Sequence, residues 1–343
     1  MASSVLVMEN FSISVPQSEL DDLRARLAHT RWPAPLPGSR GVPVPYLREL
    51  TSYWGTSYDW RSWEAKLNAF PQFMTSDGIH FIHARSANPD ALPLILTHSW
   101  PNSIAEFLNV IPALTENFHV VAPSLPGFAF SALGEEPWSV ERVARRWAEL
   151  MAELGYERYG AHGNDAGALV TPQLAALFPA NVVGSHITGG LGIDFSGGGE
   201  WWAEGSNYGP YLAKRPQTLS YGFTDSPAAQ LAYLVERYQE FDQGRDVLDH
   251  DLVLTTASLY WFTATGGSSS WTYYEGAAGL PIDQDVVPTG VSHGGPFEEN
   301  ARQKNDIVQW SGRESASHMV AWSDPEGLVE DITSFFMRFP AGR

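Results

Sequence analysis

The chain contains no cysteine. Disulfides, thiol nucleophiles and thiolate metal sites are excluded before any pattern is read. Lysine is almost missing too: Lys66, Lys214 and Lys304 are the whole complement. With 21 basic residues against 39 acidic ones, the formal net charge is −18. A chain this acidic repels phosphate backbones and anionic membranes, so no nucleic-acid partner is expected. No apolar run approaches the roughly 18 residues a membrane span needs. The first residues, Met1 to Ser12, lack a basic segment and a long apolar stretch, so neither a signal peptide nor a membrane anchor is expected. These absences predict a soluble, cytoplasmic protein. What is present suits a globular fold: 43% hydrophobic and 13% aromatic residues rule out disorder as the main state. The 343 residues suggest about two domains, or one core with a large insertion.

The pattern along the chain favours the second option. Leu20, Leu23 and Leu27 share one face of a helix predicted over Ser18–Arg31, with Ser18 as its cap. A Pro- and Gly-rich stretch, Trp32 to Pro45, follows. A second helix over Tyr46–Tyr53 leads into the aromatic group Trp54, Tyr58, Trp60 and Trp63, read as packing surface. From Met74 the rhythm changes. Asp77-Gly78 marks a hairpin turn before His80–His83. Short apolar strands at Pro93–Thr97, His119–Ala122, Tyr159–His162 and Val182–Ile187 then alternate with helical stretches at Ile104–Leu114, Val140–Leu154 and Ala166–Leu177. That alternation predicts an α/β fold with a doubly wound, mostly parallel sheet. It breaks after Gly189, turns helical to about residue 275, and resumes as a strand at Asp285–Pro288 and a helix at Glu326–Phe339. The expected organisation is an N-terminal arm (1–73) on core and lid, a first core part (74–192), a helical lid (193–282) and a last core part (283–343).

The sharpest local feature is His162-Gly163-Asn164-Asp165-Ala166-Gly167, where a strand hands over to a helix. Small residues on both sides of the apex allow a tight elbow that exposes the apex side chain. An aspartate there sits at a helix N-terminus, where negative charge is favoured, and can attack carbon to form an ester. Its other reading is a plain helix N-cap. His98-Ser99-Trp100-Pro101 follows the first central strand, where one oxyanion N–H usually arises. The paired donors would be Trp100 and Ala166. His318, in Ala316-Ser317-His318, lies in the last loop, and Glu298 and Glu299 lie between. Nucleophile, acid, histidine is the hydrolase chain order.

These pieces resemble the microsomal-type epoxide hydrolases of the α/β-hydrolase superfamily, including the juvenile-hormone epoxide hydrolase-like members. The resemblance covers nearly the whole chain. It runs through Thr30-Arg31-Trp32-Pro33, Tyr58-Asp59-Trp60-Arg61, Leu67 to Phe73, and Val120-Val121-Ala122-Pro123-Ser124-Leu125-Pro126-Gly127-Phe128. In the lid it runs through Arg215-Pro216-Gln217-Thr218 and Thr224 to Pro227, and it closes at Val287-Pro288-Thr289-Gly290. It implies Asp165 as nucleophile, His318 as water-activating base and Glu298 as orienting acid, with Glu299 its neighbour. It implies Tyr208 and Tyr274 as phenols donating to the epoxide oxygen, Tyr273 competing with Tyr274. Trp201, Trp202, Tyr273 and His293 are candidate substrate contacts. No cofactor or metal is implied, the substrates being a small epoxide and water, and a homodimer is among the assemblies allowed.

The chain also departs from that family. Ser99 and Asn102 stand where glycines are usual, Ala166 where a tryptophan is usual, and Ala316-Ser317 where two glycines are usual. The span from Glu298 to His318 is short. A reshaped pocket for a bulky natural product is the expectation. A haloalkane dehalogenase is disfavoured by Ala166 and the lid tyrosines. A non-hydrolytic epoxide-opening or cyclising enzyme, and a silent pocket-binding protein, are the remaining alternatives.

Overall fold

Six-residue apolar runs flanked by turn residues are buried on both faces here, as parallel strands between two helical layers must be. Leu94, Ile95 and Leu96 are 0% exposed, and side chains buried to this degree contribute about 1.5–3 kcal/mol each. The structure, a computed structural model, describes residues 8–38, 41–189, 208–242, 249–276, 286–303 and 305–339. Among the described residues its sheet has nine strands: β1 (Glu9–Phe11), β2 (Gln72–Met74), β3 (His80–Ala84), β4 (Leu92–Thr97), β5 (Phe118–Pro123), β6 (Tyr159–Asn164), β7 (Val182–Thr188), β8 (Thr289–Ser292) and β9 (Ile307–Trp310). Their order is β1-β2-β3-β5-β4-β6-β7-β8-β9. Pairing is antiparallel from β1 through the β3–β5 pair and parallel from β5 to β9.

This order places the site. From β4 the chain crosses to β5 on one side and later to β6 on the other. The carboxyl ends of β4 and β6 therefore face a crevice at the switch point, where open α/β sheets bind ligands. The loop after β4 begins at His98 and the elbow after β6 is Asp165.

Most expected elements form, with informative shifts. The first helix is Gln17–Ala28 and starts after Pro16, whose fixed φ replaces the side-chain cap expected from Ser18. The stretch 104–114 splits into a 3-10 turn, Ile104–Phe107, and a short helix, Ile111–Leu114. Pro112 fits a first helical turn but not a helix interior, so the helix restarts there. The strand expected at Asp285–Pro288 forms four residues later, at Thr289–Ser292, where β7 offers its hydrogen bonds. β1 and β9 were not anticipated.

Between β7 and β8 the described chain is helical: Tyr208–Lys214, Pro216–Asp225, Pro227–Phe241 and His250–Thr263. The aromatic arm packs on the last of these. Trp54 donates to Ser258 at 2.9 Å, Tyr58 pairs with Thr255 at 2.9 Å, and the Trp60 ring lies 5.0 Å from that of Phe262. Among the described residues no helix is long and apolar enough to cross a membrane.

Candidate active site

Asp165 takes φ +52° and ψ −111°, a left-handed conformation that an L-residue enters only when its surroundings force it. The surroundings are two glycines. A Cβ on Gly163 would come within 2.2 Å of the Gly167 carbonyl oxygen, and one on Gly167 within 2.1 Å of the Thr97 oxygen. The elbow helix, Ala166–Leu177, can approach β4 and β6 this closely only because both side chains are missing.

The elbow presents the carboxyl group to three partners. Its Oδ1 accepts the backbone N–H of Trp100 at 3.2 Å and that of Ala166 at 2.6 Å. Its Oδ2 lies 3.2 Å from Nε2 of His318. One oxygen is thus held in a pair of fixed N–H dipoles and the other faces an imidazole. Asp165 is also the N-cap of its helix, as its plainer reading expected.

Buried polar groups behind the carboxyl fix this geometry. Glu106, 0% exposed, accepts from the Ser99 N–H at 2.8 Å, the Ser99 hydroxyl at 2.6 Å and the Asn164 amide at 3.2 Å. Burial pushes its carboxyl up to about 7, against those three hydrogen bonds, which work downward. His98 accepts the Leu125 N–H on Nε2, so its Nδ1 carries the proton and donates to the Ser99 carbonyl. Two helices from the β7–β8 segment hold the same loop from the opposite side. Tyr238 donates to the Pro101 carbonyl at 2.7 Å and Tyr260 to the Asn102 carbonyl at 2.6 Å. The departures at Ser99 and Asn102 are therefore engaged: Ser99 with Glu106, Asn102 with Ser103 and Thr256. Ala166, directly after Asp165, is buried and carries only a methyl group.

His318 sits among carboxyl groups. Burial disfavours its charged form, but the hydrogen bond to Asp165 and the fields of Asp165, Glu106 and Asp242 outweigh it, so its pKa lies above the ordinary value. The Phe241 ring packs against it at 5.2 Å.

Two phenols pack on Trp100, whose backbone N–H the carboxyl accepts. Tyr208 stacks on Trp100 at 5.9 Å and 15°, while Tyr273 meets Trp100 edge-on at 4.8 Å and Tyr208 at 5.6 Å. Burial pushes the Tyr208 phenol up to about 12 and the Tyr273 phenol well above its usual range, and the Asp165 charge acts the same way on both. Both are therefore neutral donors at ordinary pH. The guanidinium of Arg237, only 4% exposed and paired with Glu240, lies 4.3 Å over the Tyr208 ring and 5.0 Å over that of Tyr233. A cation on that face opposes the upward shift and strengthens the phenol as a donor.

Not every expected residue arrives. Tyr273 makes the ring contacts with Tyr208 and Trp100; Tyr274 is partly buried against the core and makes neither of them. Glu298 lies on an exposed short helix, where it binds Arg302 at 2.7 Å. Among the described residues no hydrogen bond or ion pair joins Glu298 or Glu299 to His318. The turn after β8 instead holds the ring of His293 between Ser292 at 2.7 Å and Asp324 at 3.0 Å. That also occupies both nitrogens of His293. Trp201 and Trp202 lie outside the described residues. Sequence reasoning missed Glu106, Arg237 and Asp242. Two carried a signal: Glu106 interrupts an apolar run, and Asp242 is an acid at a helix C-terminus, where the dipole disfavours it.

Comparison with known proteins agrees with the fold. Residues 8–107 match the family described as epoxide hydrolase N terminus, and residues 93–239 match the α/β hydrolase fold family. A protein of Stigmatella aurantiaca assigned as an epoxide hydrolase is 37% identical over 96% of this chain and 85% of its own length. The crystal structure of juvenile hormone epoxide hydrolase from Bombyx mori superposes with a TM-score of 0.86 at 28% identity, covering 97% of this chain and 94% of that one. The epoxide hydrolase of Aspergillus niger gives 0.83 at 27% identity, over 98% and 97% of the two chains.

Proposed function

The chain belongs to the epoxide hydrolase family of α/β-hydrolases and is an epoxide hydrolase, and from that premise we propose that it opens its substrate through an ester on Asp165. The observation that carries this reading is the division of labour at one carboxyl group. Oδ1 is fixed by two N–H donors, and Oδ2 is presented beside His318.

In the first half-reaction Oδ2 forms a bond to an epoxide carbon as the carbon–oxygen bond behind it breaks. The departing oxygen takes a proton from Tyr208 or Tyr273, whose phenols are held neutral for the purpose. Esterification removes the negative charge that holds the proton on His318, so the imidazole becomes a base when one is needed. In the second half-reaction Nε2 takes a proton from water, the hydroxide adds to Cγ, and the new negative charge develops on Oδ1. The N–H groups of Trp100 and Ala166 already point at that atom. Collapse breaks the Cγ–Oδ2 bond, the leaving alkoxide recovers the proton from His318, a vicinal diol departs carrying Oδ2, and the proton left on the regenerated Asp165 carboxyl returns to the phenolate. The helices between β7 and β8 serve as the lid that brings the phenols. The missing ring at Ala166 favours an epoxide with a bulky substituent, as in large natural products.

The test is a covalent trap. His318→Gln incubated with a panel of small and polycyclic epoxides is expected to gain the mass of the accepted epoxide, and the additional change Asp165→Asn to abolish that gain. Diol formation by Asp165→Asn alone would show that the nucleophile is another group.

A further inference from the structure

The mechanism leaves one electrostatic problem. During ester hydrolysis His318 becomes an imidazolium at the moment when Asp165 carries no charge. Some other carboxylate must stabilise it, as the acid of a triad does. Glu298 is turned to Arg302 on an exposed helix. Among the described residues, the carboxyl groups whose fields act most on His318 are Asp165, Glu106 and Asp242. Asp165 is the ester, and Glu106 is buried toward neutrality.

We propose that Asp242, at the end of lid helix Pro227–Phe241, is the positioning carboxylate of His318 in this chain, in place of Glu298. Its Oδ1 accepts the backbone N–H of His318 at 2.8 Å and the hydroxyl of Ser317 at 2.8 Å. The side chain is 2% exposed. It therefore holds the histidine loop directly and acts on the ring through space. Two features mark the placement as costly and specific. A buried acid at the C-terminus of a 15-residue helix opposes both desolvation and the helix dipole. Its compensation comes from Ser317, one of the residues at which this chain departs from the family's usual glycines. Ser317 also accepts the Met319 N–H at 3.0 Å, which locks the loop on the far side of His318. The acid has moved from the strand loop to the lid, so lid position and base strength are coupled.

This inference rests on the ester mechanism, and the test separates the two. Asp242→Asn keeps an oxygen for both hydrogen bonds and removes the charge. With an epoxide that labels His318→Gln, steady-state kcat is expected to fall about tenfold or more, with ester accumulating in rapid-quench mass spectra. Without the nearby negative charge the imidazolium is less stable, so the acidic limb of kcat should move down by about one pH unit. The ester-forming rate should change less than threefold. Loss of packing alone would lower both rates and leave the limb in place. Glu298→Gln, on an exposed helix, should keep kcat and the limb within twofold of the parent; it tests the proposal even if Asp242→Asn does not fold. An Asp242→Asn protein with an unmoved limb and no ester, or ester accumulation in Glu298→Gln, would overturn the assignment. Failure of His318→Gln to label with any epoxide would instead overturn the ester mechanism.

Discussion

The floor of the site and its roof are built by different means. On the sheet side, Asp165 and the N–H groups of Trp100 and Ala166 are fixed by backbone sterics at the ends of β4 and β6. On the opposite side, Tyr208, Tyr273 and Asp242 come from helices and turns held by ring contacts, one buried guanidinium and a few long-range hydrogen bonds. The floor tolerates no added atom at Gly163 or Gly167, whereas the roof mixes close and open positions: a Cβ on Gly267 would come within 2.0 Å of the Ser220 hydroxyl oxygen, but nothing lies within 4 Å of one built on Gly222, on the exposed side of the helix Pro216–Asp225. Rigid backbone suits the group that must place an oxyanion to within a fraction of an ångström. Looser helices suit the part that must admit and release substrate.

The largest effect that would test this contrast comes from a single methyl group. Gly167→Ala puts Cβ about where the Thr97 oxygen stands. The elbow helix must move, and we expect a loss of about 3 kcal/mol or more in urea unfolding together with loss of the oxyanion pair and of activity. Gly222→Ala should instead leave activity intact and stabilise the protein by about 0.5–1 kcal/mol, as alanine does in a helix. Equal tolerance of both changes would erase the distinction between floor and roof.

The same contrast explains what the sequence could tell. The elbow was legible at Gly163, Asp165 and Gly167 because all its constraints lie within five residues of the chain. The α/β alternation was legible for a similar reason: burial on both faces writes apolar runs such as Leu94-Ile95-Leu96 into each strand. The roof was blurred by one residue at Tyr273 against Tyr274, since which phenol faces Trp100 depends on how the turn after Trp271 packs. The contact between Asp242 and His318 was not legible, because the two residues are 76 positions apart and meet only through tertiary packing. Local alignment to Glu298 could not register that the turn after β8 is taken up by His293.

A second, smaller effect separates the two regions by pH. His80, His98 and His162 lie on or beside the central strands, and burial lowers them to about 3, 4 and 3. Their folded values lie below the unfolded value of 6.5, so only the unfolded chain takes up these protons as pH falls. The stability they represent is present above pH 6.5 and is lost as pH drops toward 4. His318 and Glu106 work the other way: their raised values add stability on the acid side that disappears as pH rises through their folded values. Three sheet histidines outweigh them, so unfolding free energy should fall by several kcal/mol between about pH 6.5 and 4.5. Urea titrations at intervals of half a pH unit would read this. A flat profile would mean that the sheet side opens to water before it unfolds.

The smallest effect we expect is in the roof, where two phenols share one task. On the proposed mechanism either Tyr208 or Tyr273 can donate to the departing oxygen, so removing one hydroxyl leaves a donor in place. Tyr208→Phe and Tyr273→Phe should each slow epoxide opening about tenfold, less than loss of a sole oxyanion donor, and the double change should cost more than the product of the two. Tyr274→Phe should fall within about twofold of the parent, because its ring meets neither Trp100 nor Tyr208 in the way Tyr273 does. The readout is single-turnover opening followed by mass spectrometry, which isolates the step in which the phenols act. Of the two, Tyr208 should matter more. It alone carries the Arg237 guanidinium over its ring, and a cation at 4.3 Å makes its proton easier to give to a departing alkoxide. If Tyr274→Phe proves the slower variant, the turn after Trp271 packs in the other register during turnover, and the roof moves further than the floor allows.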